Sequence, residues 1–96
     1  MSEAPARDES HPPGIIVFGS INIDLVCRAE KIPAPGETIL APSYKCFAGG
    51  KGANQAVAAA RAGADVIMIG AVGDDAFAEL PLSSLRDAGV DVANIR

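Results

Sequence analysis

Short apolar runs along the chain are separated by segments whose apolar residues have helical spacing. Residues 15–18 and 66–69 are continuous apolar runs, which are typical of strands buried on both faces of a parallel sheet. The alanine-rich residues 53–62 predict a helix that ends at Gly63. Strands that alternate with helices predict an α/β fold with right-handed connections between parallel strands.

A second helix and a third strand are predicted after residue 70. Asp75, with the aspartate before it, can cap a helix that runs to Ala88, and residues 90–92 begin a strand. Pro81 falls inside this helix and lacks the N–H that would bond to the carbonyl of Phe77. We therefore expect a kink or a restart of the helix near Pro81.

Polar and apolar residues alternate directly after the first strand, over residues 21–26. Alternation places Asn22 and Asp24 on the same side of an extended segment. An Asn and an Asp on one face beside a buried strand indicate a candidate binding site. An exposed strand edge with solvated polar side chains would give the same pattern, and this alternative stays open.

Two segments do not follow the strand–helix alternation. Residues 27–47 contain three prolines, and their pieces 37–40 and 43–47 favour strands, which predicts a small strand excursion that leaves the main sheet and returns. Residues 1–13 mix proline with polar and charged residues without periodicity, so we expect a disordered N-terminal tail.

Composition and charge narrow the possible function classes. The 96 residues are 49% hydrophobic, which is enough for a core, but no apolar run reaches the length of a membrane span or a signal segment. A net charge of −4 argues against nucleic acid and anionic membranes as partners. Cys27 and Cys46 lack the spacing of metal ligands, so we expect no zinc site and a reduced, cytoplasmic setting.

A glycine-rich run at residues 49–52 precedes the first predicted helix. It is not a P-loop, because Gly52 stands where that motif has Ser or Thr. It is not the dinucleotide fingerprint either, because Gln55 stands where the third glycine is required. Successive glycines nevertheless let a ligand approach the main chain, and the helix start offers N–H groups.

Polar side chains surround this run. Lys51 adds a cation, and Asn54 adds an amide that both donates and accepts hydrogen bonds. Together with Asn22 and Asp24 they form a mixed donor and acceptor cluster, which suits a polyhydroxylated small molecule. A glycine-rich turn with a solvated Lys51 is the alternative interpretation.

Four segments of the chain resemble the N-terminal part of the ribokinase (PfkB-type) carbohydrate kinase family. They are residues 19–24 (GSINID), 35–38 (PGET), 49–56 (GGKGANQA) and 70–75 (GAVGDD). The third segment is the most specific, and all four occur in the family's order and with family-like spacing. The resemblance extends from about residue 15 to residue 95.

The resemblance implies a fold and a reaction. The fold would be a Rossmann-like α/β sandwich, with residues 14–96 as the N-terminal part of a kinase domain and residues 27–47 as strands of a small β-sheet lid. The reaction would be transfer of the ATP γ-phosphoryl group to the 5-hydroxyl of D-ribose, giving ribose 5-phosphate. A related sugar such as deoxyribose is an alternative substrate.

The resemblance also implies which residues bind the sugar. They would be Asn22, Ile23 and Asp24 in a first motif and Gly50, Lys51, Gly52, Ala53 and Asn54 in a second. The family's catalytic base lies in a Gly-Ala-Gly-Asp motif near the C-terminus, and ATP, Mg²⁺ and K⁺ bind mainly in that part. We therefore expect no catalytic residue and no metal ligand in this chain, and no catalysis by it alone. A homodimer formed through the lid is expected in the full-length protein.

Two other functions remain as hypotheses. The chain could be a non-catalytic sugar-binding or dimerising fragment, and a Gly-Ala-Gly-Asp motif further along the reading frame would distinguish the kinase from it. A generic nucleotide-binding half-domain is the third hypothesis, and the two failed phosphate-binding motifs count against it.

Overall fold

The computed structural model describes residues 14–96, and the tail expected at residues 1–13 lies outside the described residues. The elements in chain order are β1 (Ile15–Phe18), β2 (Asn22–Cys27), β3 (Tyr44–Gly49), α1 (Lys51–Arg61), β4 (Val66–Gly70), a 3-10 turn (Ala76–Ala78), α2 (Glu79–Asp87) and β5 (Asp91–Ile95). This order confirms the predicted α/β class. The strand predicted to begin at residues 90–92 is β5, which starts at Asp91.

A parallel sheet has the strand order β1-β4-β5, with β4 in the centre. Val66 and Met68 of β4 point to one face, where they are buried with Ala56 of α1 and Leu85 of α2. Both helices therefore pack on the same face of the sheet. The small alanine side chains of α1 allow this close packing of helix against strand.

The opposite face of the parallel sheet is apolar and uncovered. Ile16 and Phe18 of β1 have exposed fractions of 58% and 84%, and Ile69 of β4 is 36% exposed. Phe18 pairs with Ile69 in the strand register, so these side chains share one face. Over the described residues, the sheet thus has helices on one side only.

A separate two-stranded antiparallel sheet is formed by β2 and β3, with register pairs from Asn22 with Gly49 to Cys27 with Tyr44. This small sheet confirms that the chain leaves the main sheet and returns. The predicted bounds of residues 27–47 were wrong at both ends, because the paired strands begin at Asn22 and end at Gly49. The alternating residues after β1 are thus part of the small sheet.

The strand expected at residues 37–40 was also wrong. The Glu37 N–H donates to the Ala34 carbonyl at 2.9 Å, and the Glu37 carboxylate accepts from the Ala34 N–H and from Lys31 Nζ, both at 3.1 Å. Gly36 within this turn has φ of 78°. These local bonds close the turn on itself and use the Glu37 N–H, which a strand over residues 37–40 would need for pairing.

The first helix starts two residues earlier than expected, at Lys51. Gly50 is its N-cap residue, with φ of 98°, and has no side chain of its own that could cap the helix. Sequence reasoning placed the start at the first alanine, because Gly52 has low helix propensity. Close packing of Gly52 against Gly19 and Ser20 compensates for its low helix propensity.

The second helix restarts near Pro81, as predicted. Asp75 Oδ1 accepts a hydrogen bond from the Phe77 N–H at 3.0 Å and opens the 3-10 turn, and α2 then begins at Glu79. Pro81 lies in the first turn of α2, where the missing N–H would have no partner within the helix. Neither described helix is long and apolar enough to cross a membrane.

Candidate functional site

The candidate site is built on a joint between the end of β1 and the start of α1. The carbonyl of Ser20 accepts a hydrogen bond from the Ala53 N–H at 2.9 Å, and Ser20 Oγ accepts one from the Gly52 N–H at 3.2 Å. One residue of the first loop thus binds two N–H groups in the first turn of the helix. Sequence reasoning did not single out Ser20, since a cap from a residue distant in sequence has no local pattern.

Glycine is required on the helix side of this joint. A β-carbon at Gly52 would lie 2.6 Å from the Ser20 nitrogen and 2.7 Å from the Gly19 carbonyl carbon. A β-carbon at Gly50 would lie 2.7 Å from the Ser20 carbonyl oxygen, and Gly50 also has a positive φ. The glycine run therefore permits main-chain packing against the β1 end.

The joint corrects the expectation of a free helix start. The N–H groups of Gly52 and Ala53 already donate to Ser20, and the Asn54 N–H donates to the Gly50 carbonyl at 2.9 Å. Gly52 and Ala53 are buried, and the exposed fraction of Ala53 is 5%. Their observed contacts are with the protein, and their part in sugar binding stays a prediction.

Strand β2 carries the first predicted motif. Asn22 and Asp24 are exposed on one face of the small sheet, and Ile23 between them is half-buried. The Asp24 carboxylate extends over Gly49 on β3, since a β-carbon at Gly49 would lie 2.6 Å from Asp24 Oδ2. The glycine at this position leaves the space that the carboxylate occupies.

An open cleft of about 480 Å³ lies along β2. It is lined by Ile21, Asn22, Ile23 and Asp24 on one side and by Val72, Gly73, Asp75, Phe77, Ala78 and Pro81 on the other. The first predicted motif therefore faces a cavity large enough for a small molecule. Two carboxylates, one at each side, can accept hydrogen bonds from hydroxyl groups.

Asp75 and Phe77 were not predicted as cleft residues. A sequence signal existed, because the loop after β4 leaves the same edge of the parallel sheet as the loop after β1, where ligands of open α/β sheets bind. Asp75 was interpreted only as a helix cap, which it also is. Asp75 both caps the 3-10 turn and lines the cleft, because this turn starts at the wall of the cleft.

The second predicted motif is only partly brought to this cleft. Lys51 and Asn54 are exposed on the first turn of α1 and are not among the residues that line the cleft. Gly50 does approach the first motif, since its added β-carbon would lie 2.9 Å from the Asn22 nitrogen. Within residues 14–96, no group of three His, Cys, Asp or Glu could hold a metal ion.

Comparison with known proteins places these features in a family. The sequence profile described as pfkB family carbohydrate kinase matches residues 13–96. The chain is 53% identical over 76 residues to a ribokinase of Bacillus subtilis, which covers 79% of this chain and 26% of the relative. It is 43% identical over 81 residues to a deoxyribokinase of Salmonella typhi, covering 84% of this chain and 26% of the relative.

Solved structures of ribokinases are also similar to the chain. The structure of Arabidopsis thaliana ribokinase complexed with ribose and ATP superposes with a TM-score of 0.78 and 38% identity, covering 90% of this chain and 28% of that one. The chain thus spans about a quarter of the length of the relatives it matches. Because the family profile matches all of the described residues, the chain belongs to the pfkB family of carbohydrate kinases.

Proposed function

We propose that the protein phosphorylates D-ribose with ATP to give ribose 5-phosphate, and that residues 14–96 supply the sugar-binding part. The observation that carries this proposal is the placement of Asn22 and Asp24 on one face of β2, along an open cleft and beside the glycine run. The 53% identity to the Bacillus subtilis ribokinase supports it.

The proposed contacts follow from the chemistry of each group. Asp24 accepts two hydroxyl hydrogen bonds as a carboxylate, and these charge-assisted bonds are stronger than neutral ones. Asn22 and Asn54 each donate and accept, and Lys51 donates. Gly50 offers its main chain close to Asn22. Gly52 and Ala53 would act by holding this loop, and Ile23 by lining the cleft between Asn22 and Asp24.

Deoxyribose is the second candidate sugar, and the 43% identity to the Salmonella typhi deoxyribokinase favours it. The two sugars differ by one hydroxyl group. A site whose polar groups are satisfied by that hydroxyl rejects the deoxy sugar, because one buried polar group is then left unpaired. We propose ribose as the preferred substrate because the ribokinases of Bacillus subtilis, Lactococcus lactis and Schizosaccharomyces pombe are 46–53% identical to the chain, which exceeds the 43% of the deoxyribokinase.

ATP, Mg²⁺ and K⁺ are proposed to bind outside residues 14–96. The described residues do not fit these groups, because the helix-start N–H groups of Gly52 and Ala53 are bonded to Ser20 and no cluster of three potential metal-binding residues is present among them. The use of ATP is supported by the Arabidopsis thaliana ribokinase solved with ribose and ATP and by the Cryptococcus neoformans ribokinase solved with ADP.

The small sheet, with the loop of residues 28–43, is proposed as the lid over the sugar. The loop has no helix or strand, and its Ile32 and Leu40 are each 92% exposed, so few contacts hold it open or closed. Closure would exclude water, which competes for the phosphoryl group. Hydrogen exchange over residues 28–43 should slow when ribose binds, and equal exchange with and without ribose would contradict a lid.

A homodimer through the lid is a further part of the proposal. Leu25 and Tyr44, on the face of the small sheet opposite Asn22, are 56% and 63% exposed. Apolar residues on such a face favour contact with another copy. Sedimentation of the protein with and without Leu25→Lys tests this, and an unchanged mass for the variant would contradict it.

A cytoplasmic setting is also proposed, and the free thiols Cys27 and Cys46 support it.

The central experiment is the variant Asp24→Asn in the protein expressed from its complete reading frame. We expect the ribose KM to rise more than tenfold, which corresponds to more than about 1.4 kcal/mol. Asp87→Asn, at the exposed end of α2, is the matched control and should leave kcat and KM unchanged. An Asp24→Asn enzyme with wild-type KM and kcat would refute the assignment.

A further inference from the structure

We propose that Ser20 is a positioning residue of the sugar site: its hydroxyl group sets the glycine run against Asn22 and Asp24. This inference rests on the proposed function, since it concerns the affinity of the same site. Ser20 lies two residues before Asn22 in the chain, and it bonds to Gly52 across 32 residues of sequence. It is therefore the direct link between the two segments that would hold the sugar.

The first argument is the environment of the Gly52 N–H group. Gly52 is buried, and its N–H donates to Ser20 Oγ at 3.2 Å. A buried N–H without an acceptor is costly, so this hydroxyl stabilises the observed position of the helix start. The Ser20 carbonyl adds a second bond, to the Ala53 N–H, which a change of side chain would leave in place.

The second argument is that the joint has little space for adjustment. A β-carbon added to Gly19 would lie 3.0 Å from the Gly52 α-carbon. A β-carbon added to Gly52 would lie 2.6 Å from the Ser20 nitrogen. The two main chains are thus in close contact, and a shift of one is transmitted to the other. Loss of the hydroxyl would let the run relax away from Asn22, which carries the sugar-binding amide.

The third argument is that Ser20 itself does not line the cleft. Its hydroxyl oxygen is bonded to the Gly52 N–H, so its effect on a sugar bound between β2 and the 3-10 turn passes through the residues that it holds. A positioning residue of this kind changes substrate affinity more than turnover. The hydroxyl, rather than the size of the side chain, is the group that matters.

The first test measures the joint without any sugar. In Ser20→Ala, amide hydrogen exchange of Gly52 should accelerate by about fivefold or more, because its N–H loses the acceptor. Ser20→Thr keeps an Oγ atom and should restore wild-type exchange, and Ser83→Ala in α2 is the matched control. Wild-type exchange of Gly52 in Ser20→Ala would overturn the proposal.

The second test measures the site in the protein expressed from its complete reading frame. Ser20→Ala should raise the ribose KM by about fivefold or more with kcat changed less than twofold, and Ser20→Thr should restore KM. An unchanged KM in Ser20→Ala overturns the proposed role of Ser20 and leaves the proposed function standing. A wild-type protein that phosphorylates neither ribose nor deoxyribose overturns the proposed function instead, and the Gly52 exchange then still supports or refutes the joint.

Discussion

The carboxylate of Asp24 lies over Gly49 of the adjacent strand, so that a β-carbon at Gly49 would be 2.6 Å from Asp24 Oδ2. We predict that Gly49→Ala displaces this carboxylate without unfolding the protein, because the obstructing atoms are the end of a side chain that can rotate. The ribose KM should rise about tenfold, or about 1.4 kcal/mol, while the melting temperature changes little.

Gly14→Ala is the control for this prediction. Its β-carbon would lie 3.6 Å from the nearest atom, the Asp65 carbonyl oxygen, which is an ordinary contact. We expect wild-type KM for this variant. A Gly49→Ala enzyme with wild-type KM would show that the position of the Asp24 carboxylate does not matter for the sugar.

Gly52→Ala should act on stability instead. The atoms nearest to its added β-carbon are main-chain atoms of Gly19 and Ser20, at 2.6 to 2.8 Å, and they cannot rotate away. We expect a loss of about 1–3 kcal/mol in the free energy of unfolding, as for other overpacked sites. Urea unfolding followed by circular dichroism measures it, and a variant as stable as wild type would contradict the close contact at the joint.

Glu37 predicts a pH dependence of the loop over residues 28–43. The Ala34 N–H and then Lys31 donate hydrogen bonds to its carboxylate and lower the pKa of Glu37 below 4.5. Because the pKa is lowered in the folded loop, the turn is stabilised above pH 4.5 and loses this stabilisation as the pH falls through the lowered pKa. The Ala34 amide proton shift should titrate with a midpoint below 4.5.

Glu37→Gln is the control for the titration, because it keeps the side-chain shape and removes the ionisable group. The low-pH change in the Ala34 shift should disappear in this variant. A midpoint at or above 4.5 in the wild type would contradict the hydrogen bonds of the turn.

The 96-residue chain by itself should associate through the open face of the parallel sheet and show no kinase activity. Phe18 on that face is 84% exposed, and the buried apolar side chains among the described residues are few. Sedimentation velocity should show oligomers for residues 1–96 and less association for Phe18→Ser. An assay for ATP-dependent ribose phosphorylation should give only background.

Tyr44→Ser, on the small sheet, distinguishes the two apolar surfaces. If this variant reduces association and Phe18→Ser does not, the contact lies on the small sheet and the prediction is wrong for the open face. A monomeric wild-type chain that unfolds cooperatively would contradict the prediction entirely, and so would turnover above background.

Hydrophobic patterning predicted the main elements because each has a clear period. The continuous apolar runs of β1 and β4 are strands, and the alternation after β1 correctly placed Asn22 and Asp24 on one face. Helix restart near Pro81 also followed from local chemistry, since the missing N–H of proline is independent of tertiary structure.

Features that depend on tertiary contacts could not be predicted in this way. The start of α1 at Lys51 relies on packing of Gly52 against Gly19, which overrides the low helix propensity of glycine. Ser20 as a cap for that helix, and Phe77 as a wall of the cleft, are close to their partners only after the chain has folded. Residues 37–40 favoured a strand, but the turn before them uses the Glu37 N–H for a hydrogen bond to the Ala34 carbonyl.

Strand β1 pairs with β4, which follows it by about fifty residues in the chain. A ribosome adds roughly 5–20 residues per second, so the apolar run Ile15–Phe18 waits roughly 3–10 s for its neighbour. Closing so long a connection is also slower than forming local contacts. The run therefore stays without its partner strand in the nascent chain, while both strands of the small sheet have already been synthesised.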